Sequence, residues 1–144
     1  MPRGAVDVTA IAKLIKIHSF QLDEKRRELK NLEDQAAKIE DALANLINQV
    51  EAEKKLSYEN SEVHRDYPNF IRVALDKRDQ LNQDLMAARG LIETAREGVA
   101  EAFAEVKKYE IVKQKYDDEV AEELDRRDQM DLDEVALNNH RMRR

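Results

Sequence analysis

No glycine or proline occurs between Gly4 and Pro68. Glycine and proline are the residues that most strongly interrupt a helix, so this stretch predicts one long helix. Its apolar residues recur at alternating steps of three and four, which is the seam of a left-handed coiled coil. The stripe is Ile15, His18, Leu22, Lys25, Leu29, Leu32, Ala36, Ile39, Leu43, Leu46 and Val50. We expect this first helix to cover about residues 7–57, with Asp7 or Thr9 as its N-cap.

The periodicity fails over about residues 58–68, where Ser and Asn cluster before Pro68. Because proline disfavours a helical conformation for Tyr67 before it and suits the first turn of a helix after it, we predict a hairpin turn here. A second helix is expected over about 69–138. Its stripe is Ile71, Ala74, Arg78, Leu81, Leu85, Ala88, Ile92, Ala95, Val99, Ala102, Val106, Tyr109, Lys113, Tyr116 and Val120.

The two stripes together predict an all-α protein, a single domain over residues 1–144. The expected architecture is a long two-helix antiparallel coiled-coil hairpin with a C-terminal helical overhang. If Ser57 faces Asn69, the numbers of opposed residues sum to about 126, and residues beyond about 120 have no partner on the first helix. Lys25 and Arg78 lie on the seams, where polar residues set the register at a cost in stability. Pairing of long helices between two chains remains an alternative.

Composition excludes several classes of function. The formal net charge of −6 argues against a nucleic-acid binder, which usually carries a basic face. No apolar run approaches the roughly 20 residues of a membrane span, so we expect no direct membrane insertion. There is no cysteine, the three histidines lie far apart, and the three glycines are isolated. These features predict no metal site, no cofactor and no enzymatic activity.

More apolar surface is present than one seam can bury, which points to partner contacts. Off-seam apolar residues include Leu14, Ile17, Phe20, Ile47, Phe70, Leu75, Leu91 and Phe103. Residues 117–134 hold ten acidic and two basic side chains, and the last residues are basic. This charge order suits a helix dipole, so the overhang is either a solvated tail or a docking segment that lacks an intramolecular partner.

Four segments resemble the FliJ family of flagellar type III export proteins: residues 14–29, 66–81, 100–110 and 127–136. The most specific are the Tyr-Pro-Asn-Phe stretch that ends at Phe70 and the ending Asp-Gln-Met-Asp-Leu-Asp-Glu-Val-Ala. The resemblance spans nearly the whole chain. It implies a fold similar to the coiled-coil stalk of rotary ATPases, and a monomer when free. It also implies a cytoplasmic protein that associates peripherally with the inner face of the membrane.

The partners implied by the resemblance are a hexameric flagellar export ATPase, the cytoplasmic domain of an export-gate membrane protein, and export chaperones. The hypothesis for the ATPase ring names Leu14, Ile17, Leu124, Arg126, Arg127, Leu132 and Val135. The residues that match the gate-contacting surface are Leu46, Ile47, Phe70, Ile71 and Ala74. Gln49 and Glu53 stand where some relatives carry tyrosines, which weakens the gate assignment. A virulence-type secretion stalk and a structural dimerising coiled coil are the alternatives.

Overall fold

The computed structural model describes residues 8–143 and contains two α-helices. α1 is Val8–Glu59 and α2 is Ser61–Met142, and the described residues include no strand. The two helices pack against each other, so the predicted helical hairpin is confirmed. The proposed N-cap at Asp7 lies outside the described residues. Thr9 is already helical and therefore does not cap α1.

The connection between the helices differs from the predicted turn over residues 58–68. Only Asn60 is non-helical, and α2 begins at Ser61 rather than near residue 69. The Asn60 N–H donates to the Leu56 carbonyl at 2.9 Å, and the Asn60 carbonyl accepts from the His64 N–H at 3.0 Å. Its side-chain oxygen accepts from the Glu62 N–H at 2.9 Å, which is the bond of an N-cap.

Pro68 lies inside α2 and does not mark its start. A proline within a helix removes one backbone donor and crowds the carbonyl four residues earlier. The sequence prediction places the turn too far along the chain, because a cap made by one asparagine leaves a weaker sequence signal than a proline.

The chain divides into two compact units, which we call the turn unit, Asp23–Ala100, and the terminal unit, Met1–Leu22 with Glu101–Arg144. The turn unit has a core of three buried residues, Ala36, Leu85 and Ile92. The half-buried residues packed on this core are Leu29, Leu32, Ile39, Leu43 and Ala88. All eight belong to the predicted seams, so the repeat of 3.5 residues identifies the core correctly.

The terminal unit is built in the same way. In the part of this unit that the structure describes, the buried residues are Ile11, Leu22 and Val106, and Ile11 is only 2% exposed. The His18 ring stacks on the Tyr109 ring with a centroid separation of 5.0 Å and an interplanar angle of 20°. The residue numbers of this pair sum to 127, against the predicted 126, so the register at this pair is one residue from the expected one.

Three seam positions are solvent-exposed in the structure: Lys25, Arg78 and Val120. The Lys25 ammonium lies 3.6 Å from the point where a Cβ would stand at Gly98, so it extends across the facing helix. Arg78 pairs with Asp79 at 3.1 Å. Long basic side chains can follow the helix surface with their stems and keep their charge in water. They occupy the seam without being buried in it.

Candidate partner-binding surfaces

An apolar groove opens on one side of the turn unit, and we call it the Ile47 groove. Its volume is about 150 Å³. The residues that line it are Leu46, Ile47, Val50, Glu51, Ile71, Ala74, Leu75 and Arg78. Leu46 and Ala74 are buried and form its floor, whereas Ile47 is 61% exposed and Leu75 is 43% exposed. Two large apolar side chains are therefore held in water on either side of a buried apolar floor.

Helix geometry explains why these residues meet. Ile47 directly follows the seam residue Leu46 on α1, and Leu75 directly follows the seam residue Ala74 on α2. In an antiparallel pair, the positions that follow the inner seam residues of both helices lie on the same side. The same side carries the contact between Glu40 and Arg89, whose charged atoms are 3.5 Å apart.

The structure brings together four of the five residues of the export-gate hypothesis. Leu46, Ile47, Ile71 and Ala74 all line the groove. Phe70 does not line it, because it precedes Ile71 and so lies on the other side of the seam, where it is half-buried.

Sequence reasoning missed Val50, Glu51 and Arg78 as part of this site. It noted Leu75 as surplus apolar surface without assigning it to the groove. The signal that places Leu75 there is its position next to the seam, read in the antiparallel register. Arg78 and Glu51 give the groove a charged rim of both signs.

The overhang is residues 121–143, the last part of α2 and the residue after it, and every residue in it except Glu123 is exposed. Glu123 is half-buried because two guanidinium groups cover it. Arg126 pairs with one carboxylate oxygen of Glu123, and Arg127 Nε lies 3.4 Å from the other. Both arginine side chains remain about two-thirds exposed. Exposed ion pairs contribute little to stability, so these arginines can exchange Glu123 for a partner's carboxylate at low cost.

The overhang also exposes large apolar side chains without a helix to cover them. They are Leu124, Met130, Leu132, Val135, Leu137 and Met142. The other two residues of the ATPase hypothesis, Leu14 and Ile17, are exposed on α1. With opposed residue numbers that sum to 127, Leu14 lies beside about residue 113, roughly 16 Å along α2 from Leu124. The structure therefore separates the seven hypothesised residues into a patch on α1 and a patch on the overhang.

Exposed aromatic residues add to the surface of the terminal unit. Phe20 is 57% exposed and Phe103 is 45% exposed. The Lys107 ammonium lies 5.4 Å from the centroid of the Phe103 ring, within range of a cation–π contact. Among the described residues, no cluster of His, Asp or Glu could hold a metal ion. No helix in the described part of the chain is long and apolar enough to cross a membrane.

The comparison with protein families decides the identity. The family model described as "Flagellar FliJ protein" matches residues 9–144. The chain belongs to the FliJ family. No curated protein and no solved structure matched the chain. The predicted resemblance is confirmed over nearly the whole chain, and membership makes this FliJ protein a component of the flagellar export apparatus.

Within the FliJ chain, the family match covers both candidate surfaces. The Ile47 groove and the overhang both lie between residues 9 and 144. Both have what protein recognition requires, which is exposed apolar area bordered by charge.

Proposed function

We propose that this FliJ protein is an adaptor that binds the hexameric flagellar export ATPase through the overhang and the export gate through the Ile47 groove. Its effect on the ATPase would be to promote ring assembly and thereby hydrolysis. The protein would act in the cytoplasm, at the inner face of the membrane where the export apparatus stands. The observation that carries the proposal is the overhang, a stretch of α2 that exposes six large apolar side chains and has no α1 residue opposite it.

The overhang suits a ring of subunits for a physical reason. Helices without tertiary packing are marginal in water, and burial of an apolar face against a partner is what stabilises them. Each large apolar side chain that becomes fully buried contributes on the order of 1.5–3 kcal/mol. Arg126 and Arg127 add charge that can pair with acidic groups on the partner, which increases the rate of association and fixes the orientation.

The Ile47 groove suits a different kind of partner. Its floor is already buried within the hairpin, so an entering side chain meets a preformed apolar surface and little reorganisation is needed. A single aromatic or branched apolar side chain from the gate's cytoplasmic domain would fit a groove of about 150 Å³. The flagellar description of the matching family model favours this assignment over a virulence-type secretion stalk.

The proposed action on the export ATPase is tested by measuring ATP hydrolysis by the purified ATPase of the same organism, with and without this protein. The wild-type chain should raise the rate and the hexamer fraction seen by light scattering. The triple variant Arg126→Glu, Arg127→Glu, Leu132→Ala should abolish stimulation, because it removes an apolar contact and reverses two charges.

A matched control for that assay is the triple variant Lys54→Glu, Lys55→Glu, Met86→Ala, which makes the same kinds of change in the turn unit. It should stimulate as the wild type does. Full stimulation by the overhang variant would refute the proposal that the overhang binds the export ATPase. No stimulation by the wild-type chain at saturation would shift the proposal to gate or chaperone binding.

The proposed binding to the export gate is tested by titrating this protein with the purified cytoplasmic domain of the gate protein and measuring the affinity. Ile47→Glu places a charge in the groove and should weaken binding at least tenfold, since an unpaired carboxylate in an apolar contact is costly. Leu91→Glu is the control, because Leu91 is 57% exposed, similar to Ile47, and does not line the groove. Equal affinities of the two variants would argue against the groove as the gate site.

A further inference from the structure

The seams of α1 and α2 share one heptad register across the hairpin connection. The buried Ser57 on α1 and the half-buried Ile71 on α2 are two heptads apart. Leu46 and Ala74, both buried, are four heptads apart. A hairpin does not require a shared heptad register, because a turn of any length can connect two helices whose seams face each other. A single uninterrupted helix does require it, since only an unbroken repeat keeps all seam residues on one stripe.

The connection itself is nearly helical. Asn60 is the one non-helical residue between the helices, and its backbone N–H and carbonyl both make bonds with helical spacing, to Leu56 and His64. A rearrangement at this one residue would join α1 and α2. It would exchange the cap bond between the Asn60 side chain and the Glu62 N–H for ordinary helical backbone bonds.

We propose that the chain has a second state, a domain-swapped dimer in which α1 and α2 continue through Asn60 as one helix that pairs antiparallel with a second copy. In an antiparallel pair, the numbers of two residues in contact add up to a nearly constant value. The sum is 127 for the stacked rings of His18 and Tyr109 and 129 for the ion pair of Glu40 and Arg89. Every such contact within the hairpin can therefore form again between copies with the same partners.

The two states bury the same seams, so the balance between them depends on the connection and on concentration. Asn60 favours the hairpin, because asparagine is among the best N-caps and a poorer helix former than alanine. Pro68 lies inside α2 in both states and does not bias the balance. Replacement of Asn60 by alanine removes the cap and improves the continuous helix. We expect about a tenfold shift per chain, and so about a hundredfold rise in the dimerisation constant.

The oligomeric state after refolding from urea at high protein concentration tests the proposal. Light scattering coupled to size-exclusion chromatography should show a larger dimer fraction for Asn60→Ala than for the wild type. Asn60→Asp is the matched control, because aspartate keeps the cap, and it should stay close to the wild type. Two glycines inserted after Asn60 should suppress the dimer by interrupting the continuous helix. A monomeric Asn60→Ala variant at every concentration would overturn the proposal.

Cross-linking separates the swapped dimer from side-by-side association. The chain has no cysteine, so single cysteines can be placed freely. One copy carries Glu40→Cys and the other Arg89→Cys, both in the Asn60→Ala background, and the two are refolded together. A short bismaleimide reagent should link residue 40 of one copy to residue 89 of the other. Dimers that link only residue 40 to residue 40 would contradict the swap. If the Asn60→Ala variant lost its helical signal, the same two cysteine variants would be refolded together with Asn60 kept. A link between residue 40 of one copy and residue 89 of the other would then support the swap, and its absence would contradict it.

Discussion

At the scale of single residues, the stability of this protein comes from a narrow seam. Among residues 8–143, few apolar residues are buried, most of these are 6–7% exposed, and no large side chain is fully enclosed. Two helices can cover only one face of each other, so each seam residue keeps a small exposed edge. The loss of one such side chain is costly because no third element can move in to fill the space.

Leu85→Ala should reduce the free energy of unfolding by about 2–3 kcal/mol, because Leu85 belongs to the core of the turn unit. Urea denaturation followed by circular dichroism measures this change. Leu91→Ala is the control, since Leu91 has the same side chain and is 57% exposed. Its effect should stay within about 0.5 kcal/mol. Equal losses for the two variants would mean that the seam is placed wrongly.

At the scale of the elements, α1 and α2 differ in the quality of their helical sequence. α1 contains no glycine or proline, whereas α2 contains Pro68, Gly90 and Gly98. Glycine in a helix interior costs roughly 1 kcal/mol relative to alanine. α2 is nevertheless continuous through these three residues, because they lie where its seam packs against α1 and tertiary packing outweighs local propensity.

Gly90→Ala should raise the free energy of unfolding by about 1 kcal/mol, because an added Cβ at Gly90 meets nothing within 4 Å. Gly98→Ala should give a smaller gain. At Gly98 the new methyl group would lie 3.6 Å from the Lys25 ammonium and would displace part of its water. Thermal unfolding of both variants beside the wild type tests the difference. A destabilised Gly90→Ala variant would show that the native structure needs glycine at residue 90.

At the scale of the whole molecule, the overhang stands apart from the rest of the chain because it has no tertiary burial to lose. Removal of residues 121–144 should change the free energy of unfolding by no more than about 0.5 kcal/mol. The urea midpoint should therefore stay close to that of the full chain. The truncation should lower the helical signal in proportion to the residues removed. The same truncation should abolish stimulation of the export ATPase. A truncated chain that unfolds much more easily would show that the overhang stabilises the hairpin itself.

Most of the seam residues were predictable from the sequence, and the reason is geometric. A repeat of 3.5 residues leaves one stripe per helix to bury, so Ala36, Leu85 and Ile92 could be placed in the core from spacing alone. The exposed state of Lys25 and Arg78 was not predictable in the same way. Spacing assigns a residue to a stripe, but a long side chain can leave the stripe by following the helix surface.

The amino-acid sequence by itself determined the fold class, the antiparallel register to within about three residues, and the family, because all three depend on patterns repeated along the chain. Only the tertiary structure decided where the chain turns and which off-seam residues form a site. The turn depends on a single cap at Asn60, a local bond whose strength differs little from that of competing signals nearby. The Ile47 groove depends on Ile47 and Leu75 lying on the same side of the pair, and that follows from how the two helices are juxtaposed.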